Sequence, residues 1–178
     1  MTTFEKRGLS AEIRAKGRRL EGYAATFNNP AMIGGAFSET IAPGAFSGSI
    51  RSNGDILALV DHDPGRVLAR TRSGSLRLSE DAHGLAFDLD IPDTQAGRDV
   101  LALAERGDLG GMSFGFAALD EGRDGNRREL RAVDLFEISV ELAWPAYDGT
   151  VINARARQSG NGFKAYTARS LRLLELGR

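Results

Sequence analysis

Three short segments carry side chains that can combine into nucleophilic chemistry. Gly111-Met112-Ser113-Phe114-Gly115 sets a serine hydroxyl among small neighbours. Leu57-Ala58-Leu59-Val60-Asp61-His62-Asp63-Pro64-Gly65-Arg66 ends an apolar run in an imidazole, just before a Pro-Gly pair. The run from Asp134 to Tyr147 carries Glu137, Ser139 and Glu141 at a spacing of two, opposite Ile138, Val140 and Leu142. A hydroxyl, an imidazole and a carboxylate are the parts of a triad: a nucleophile, a general base, and an anion that fixes the tautomer of the base and stabilises its charged form.

Each part has a plainer explanation. The GxSxG match invites a nucleophile elbow, but that elbow needs a strand–turn–helix context and a histidine downstream of the serine. His62 and His83 both lie upstream, and Phe114-Gly115-Phe116-Ala117-Ala118-Leu119 continues as a strand. What remains is a serine on a strand, with Met112, Phe114 and Phe116 on one face and Ser113, Gly115 and Ala117 on the other. His83, in Glu80-Asp81-Ala82-His83-Gly84, reads as a turn residue, so His62 is the candidate base. The carboxylates of the third segment could equally line a solvated strand face.

Composition narrows the chemistry further. The chain has 178 residues, no cysteine and two histidines, which excludes disulfides, thiolate catalysis, zinc fingers and iron–sulfur clusters and leaves little for a multi-histidine metal site. Lys plus Arg number 23 against 24 Asp plus Glu, so net charge makes no case for nucleic acid. No GxxxxGK(S/T) loop and no GxGxxG after a strand offers a phosphate cradle. Asp88, Asp90 and Asp93 resemble a calcium loop only until Pro92 falls on a ligand position. No apolar run reaches the roughly 18 residues of a membrane span, and the N-terminal residues lack the apolar core of a signal peptide. The expectation is a soluble, cytosolic chain.

The elements that must position these side chains are mostly short strands. Leu20 to Phe27, Ile56 to His62, Val67 to Arg72, Ser75 to Leu78, Leu85 to Ile91, Leu109 to Leu119, Glu129 to Phe136 and Glu137 to Trp144 alternate or run apolar between turn residues. Asp120 to Asn126 reads as a hairpin loop. A helix is expected from an Asp93 or Thr94 cap to Arg106, closed by Gly107, which makes Arg106-Gly107-Asp108 a helix end and not an adhesion motif. Pro43 to Ile50 is a shorter candidate. Gln158-Ser159-Gly160-Asn161-Gly162 reads as a linker, dividing residues 1–157 from a tail, 158–178, with a helical pattern of leucines.

Taken in order and spacing, His62-Asp63, Gly111-Met112-Ser113-Phe114-Gly115-Phe116, and Glu137-Ile138-Ser139-Val140 with Pro145-Ala146-Tyr147 resemble the prohead (procapsid) maturation serine proteases of tailed bacteriophages and phage-derived particles. The resemblance runs from about Leu20 to Ala154. It implies an α+β fold akin to the herpesvirus assemblins, a small closed, mostly antiparallel β-barrel with flanking helices. It implies Ser113 as nucleophile, His62 as base and, best matched, Glu137 as the third member, with Glu141 on the same face as the fallback and Arg66 as a contributor to the oxyanion site. It implies no metal or nucleotide cofactor. The implied substrates are the major capsid protein with its scaffolding region, or a separate scaffold protein, and the enzyme itself. The implied place is the bacterial cytoplasm inside an assembling procapsid, with homo-oligomerisation left open and no nucleic acid or membrane partner. The rival from another class is a β-barrel assembly protein of the same particle that has lost catalysis; an esterase is disfavoured by the His-before-Ser order.

Overall fold

In the computed structural model, which describes residues 3–9, 13–52 and 54–143, the chain runs β1 (Phe4–Leu9), β2 (Ile13–Lys16), β3 (Arg19–Thr26), β4 (Ala31–Ile33), β5 (Phe37–Ile41), α1 (Ser47–Arg51), β6 (Leu57–Val60), β7 (Asp63–Arg70), β8 (Leu76–Glu80), β9 (Gly84–Asp90), α2 (Gln95–Arg106), β10 (Gly111–Asp124) and β11 (Arg127–Glu141). The strands form two sheets. The larger has the order β1-β10-β11-β5-β4, with β6 joined to β11 and β7 to β6; the smaller is β2-β3-β9-β8. One core draws on both, with Leu20, Leu85, Phe87 and Leu89 from the smaller sheet and Met112, Phe114, Phe116, Ile138 and Val140 from the larger. Phe46, just before α1, packs edge-on to Phe114 and stacks with Phe27.

The α+β class holds, but the closed barrel does not. Closure requires the outer strands of a sheet to find each other. Among the described residues β1 pairs with β10 alone and β4 with β5 alone, and in the smaller sheet β2 and β8 are edges. The cause lies in β11, which divides its outer side between two partners. Its N-terminal part runs parallel to β5 from Arg127↔Ser38 to Leu130↔Ile41, and its C-terminal part runs parallel to β6 from Glu137↔Leu57 to Val140↔Val60. The sheet branches where a barrel would close.

The expected hairpin is longer and tighter than its composition implies. Strand β10 continues to Asp124 and β11 starts at Arg127, so the turn is Gly125-Asn126 with Gly125 at φ 57°. The two strands expected on either side of the Phe136–Glu137 boundary are one, with a register shift between Gly115 and Phe116. Helix α2 is as expected: the Thr94 hydroxyl accepts the Gly97 N–H, and Gly107 closes the helix in the left-handed conformation. Arg106-Gly107-Asp108 is therefore a helix end. Asp88 and Asp90 accept hydrogen bonds from Arg77 on the solvent face of β9. Among the described residues no helix is long and apolar enough to cross a membrane. The linker and tail expected after residue 157, and Pro145-Ala146-Tyr147, lie outside the described residues.

Candidate active site

The β10–β11 register builds the floor of the site. Gly111 faces Glu141, Ser113 faces Ser139 and Gly115 faces Glu137 across an antiparallel pair, so these residues share one face while Met112, Phe114 and Phe116 fill the core on the other. The parallel pairing of β6 with Glu137–Val140 carries the β6–β7 turn to the same place. That turn is Asp61-His62, not the Pro-Gly pair, which lies within β7.

Both turn residues have left-handed backbones, with φ 50° at Asp61 and 57° at His62. A two-residue loop of this kind is usually filled by Asn and Gly, because side chains with a Cβ are strained there. Neighbouring groups hold the strain in place. The Asp61 N–H donates to the Val140 carbonyl at 3.0 Å, and its carboxylate accepts the Leu142 N–H at 3.0 Å and Arg66 at 3.3 Å. The His62 N–H donates to Ser139 Oγ at 3.1 Å. Strain over-determined in this way characterises functional positions.

The turn aims the imidazole into the sheet face. Ser113 Oγ lies 2.7 Å from His62 Nε2, and Glu137 Oε1 lies 2.6 Å from Nδ1. The Ser139 hydroxyl donates to the second Glu137 oxygen at 2.6 Å. With that oxygen committed as an acceptor, Glu137 takes the Nδ1–H and leaves Nε2 toward Ser113. Gly115 makes room for the carboxylate, since a Cβ at this position would stand 2.3 Å from Glu137 Oε1 and 2.5 Å from Phe4 Cζ of β1. The group is buried: Ser113 is 0% exposed, Glu137 1% and Glu141 0%. Burial opposes a charged imidazole, but the charge and hydrogen bond of Glu137 and the hydrogen bond to Glu141 outweigh it and hold the His62 pKa above its ordinary value.

Ser113, His62 and Glu137 are thus brought together as the sequence led us to expect, and a solvated carboxylate face is ruled out. Glu141, the fallback, is also in contact, reaching Ser113 Oγ and standing 3.2 Å from His62 Nε2. Arg66 turns toward Asp61. His83 lies apart, in the β8–β9 turn, with its ring against Tyr23 and its N–H on Asp81. Sequence reasoning missed Ser139, which links the His62 backbone to Glu137; its place between two carboxylates at alternate positions was the available signal.

No curated protein matches the chain in sequence. Among solved structures, the bacteriophage T4 capsid assembly protease gp21 is similar, with a TM-score of 0.54 at 10% identity over 79% of this chain and 97% of that one. At that identity the likeness speaks for the fold. A family profile described as Caudovirus prohead serine protease matches residues 7–164. With that match spanning most of the chain, and a buried serine–histidine–carboxylate chain at its centre, the protein belongs to the prohead serine proteases of tailed phages, the endopeptidases of capsid maturation.

Proposed function

We propose that Ser113, His62 and Glu137 are the catalytic residues with which this protease cuts capsid and scaffold proteins, and its own chain, inside an assembling procapsid in the bacterial cytoplasm. Ser113 Oγ attacks the scissile carbonyl while His62 Nε2 takes its proton. Glu137 faces the imidazolium so formed through Nδ1. His62 then returns the proton to the leaving amine, and water releases the acyl group by the same path in reverse. The observation that carries this reading is the continuous chain from Ser113 Oγ to His62 Nε2 at 2.7 Å and from Nδ1 to Glu137 at 2.6 Å. Its anchoring by Ser139 supports Glu137 over Asp61 and Asp63, whose carboxylates are taken up by the Leu142 and Gly65 N–H groups.

Confinement in a shell supplies a very high local substrate concentration, so modest intrinsic activity is enough. The substrate class is the major capsid protein with its scaffolding region, or a separate scaffold protein. A serine-reactive fluorophosphonate tests the nucleophile. Adduct mapped to Ser113 in the wild-type chain and lost in Ser113→Ala is the expected result; unlabelled Ser113 in folded protein under conditions that support assembly would favour a non-catalytic assembly protein.

A further inference from the structure

Ser113 Oγ, His62 Nε2 and Glu141 Oε1 form a closed triangle. Ser113 contacts both partners, and Nε2 and Oε1 are 3.2 Å apart. Two hydrogen bonds meet at Ser113 Oγ, yet a serine brings one proton. For both contacts to be hydrogen bonds the second proton must come from the imidazole or the carboxyl group, and the trio so bonded holds two. Remove one, and the Nε2 lone pair and the Glu141 carboxylate compete for the single hydroxyl proton. Imidazole is the stronger base of the two in water, and Glu137 already accepts at Nδ1. The extra proton therefore belongs on Nε2, with Ser113 O–H donating to Glu141. In that form His62 has no lone pair with which to take the serine proton.

We propose that Glu141 holds the resting site one proton above the count that attack requires, and so sets the pH above which Ser113 becomes reactive. This rests on the triad reading and adds to it a residue that touches the reacting atoms without being the base or its orienting partner. Activation is the loss of the Nε2 proton to solvent, leaving neutral His62 to accept from Ser113. Of the ionisable groups facing the imidazole, Glu137 on β11, by its charge and hydrogen bond, and Glu141 on β11, by its hydrogen bond, favour the charged form, and Lys6 on β1 opposes it. Asp61 and Arg66 in and after the turn are paired with each other.

The test is the pH dependence of the fluorophosphonate labelling rate at Ser113 in the full-length protein, for wild type and Glu141→Gln. In wild type the rate should rise with pH along a limb above the ordinary imidazole value. Glu141→Gln removes the charge but keeps the shape, so the limb should move down by roughly 1 pH unit or more, making the variant on the order of tenfold faster on the acid side. An unmoved limb, or a folded variant slower at every pH, overturns the inference while leaving the triad intact. Failure of wild type to label at any pH overturns the triad reading and this inference with it. Should the variant not fold, nitrogen-15 imidazole spectra of wild type decide. Both His62 nitrogens protonated at a pH above the ordinary imidazole value is the expected result, and His62 titrating at or below that value is the contrary one.

Discussion

At the scale of single residues, the proposed triad sets which atoms a variant can lose. Ser113→Ala removes a hydroxyl from a face already made of small residues, so the sheet should remain folded and processing should fall by about 10⁴-fold or more. His62→Ala should be as inactive, and the double variant no worse, because the members act as a unit. Glu137→Gln keeps the shape and loses the charge facing Nδ1, so kcat/KM should drop by about 10³–10⁴-fold, read from the rate of capsid-protein cleavage. The raised His62 pKa also has a stability consequence. The folded state binds the proton more tightly than the unfolded chain, so this contribution is fully present below the ordinary imidazole value and is lost as pH rises through the folded one. Thermal midpoints should therefore decline with pH across that window in wild type, and Glu137→Gln should flatten the decline.

Much of this scale was legible in the chain itself. Alternation alone places Ser113 and Gly115 opposite the core phenylalanines, and Glu137, Ser139 and Glu141 on one face. It cannot say whether that face is wet, since the covering groups arrive from β6 and β1, remote in sequence. The position of His62 was legible for an incomplete reason. Pro64-Gly65 has the composition of a turn, whereas the left-handed Asp61-His62 pair makes it, with a backbone that tertiary contacts help to hold.

At the scale of elements, β1 shows why other strands were not legible. Phe4-Glu5-Lys6-Arg7-Gly8-Leu9 is too charged to read as buried, yet Arg7 and Arg128 share Glu5 and Glu39 in a largely buried network joining β1, β5 and β11. The same strand faces the nucleophile, with Gly8 opposite Ser113. Breaking a buried ion network from one side leaves unpaired charge, so Arg7→Ala should cost about 3–5 kcal/mol. Arg19→Ala removes a side chain that is 53% exposed and should cost at most about 1 kcal/mol; chemical denaturation compares the two. Gly115 makes the corresponding point for β10. Gly115→Ala must displace the Glu137 carboxylate or Phe4, so activity should fall together with a stability loss of roughly 1–3 kcal/mol.

At the scale of the whole molecule, the barrel expectation came from resemblance and not from the residues. Strand patterns give faces and boundaries, but closure depends on which edges meet, and the parallel pairings of β11 with β5 and β6 leave no mark in local alternation. The pattern after residue 157 carries a prediction of the same scale. Gln158-Ser159-Gly160-Asn161-Gly162 has the composition of an easily cut segment, and a protease concentrated in a shell, as proposed, would meet its own chain. We propose cleavage near residues 155–165 that depends on Ser113. Mass spectrometry of assembled particles should find the active chain shortened and Ser113→Ala full length; equal shortening of both would assign the cut to host proteases.

Ser113, activated by His62 against Glu137, is proposed to perform the cleavage of capsid maturation. Its most direct test is co-expression of the chain with the major capsid protein of the same particle, followed by intact-mass analysis of the capsid protein. With the wild-type chain the capsid protein should be shortened at a defined bond, and with Ser113→Ala it should remain at full length. Shortening at the same bond by folded Ser113→Ala protein would show that Ser113 is not the nucleophile.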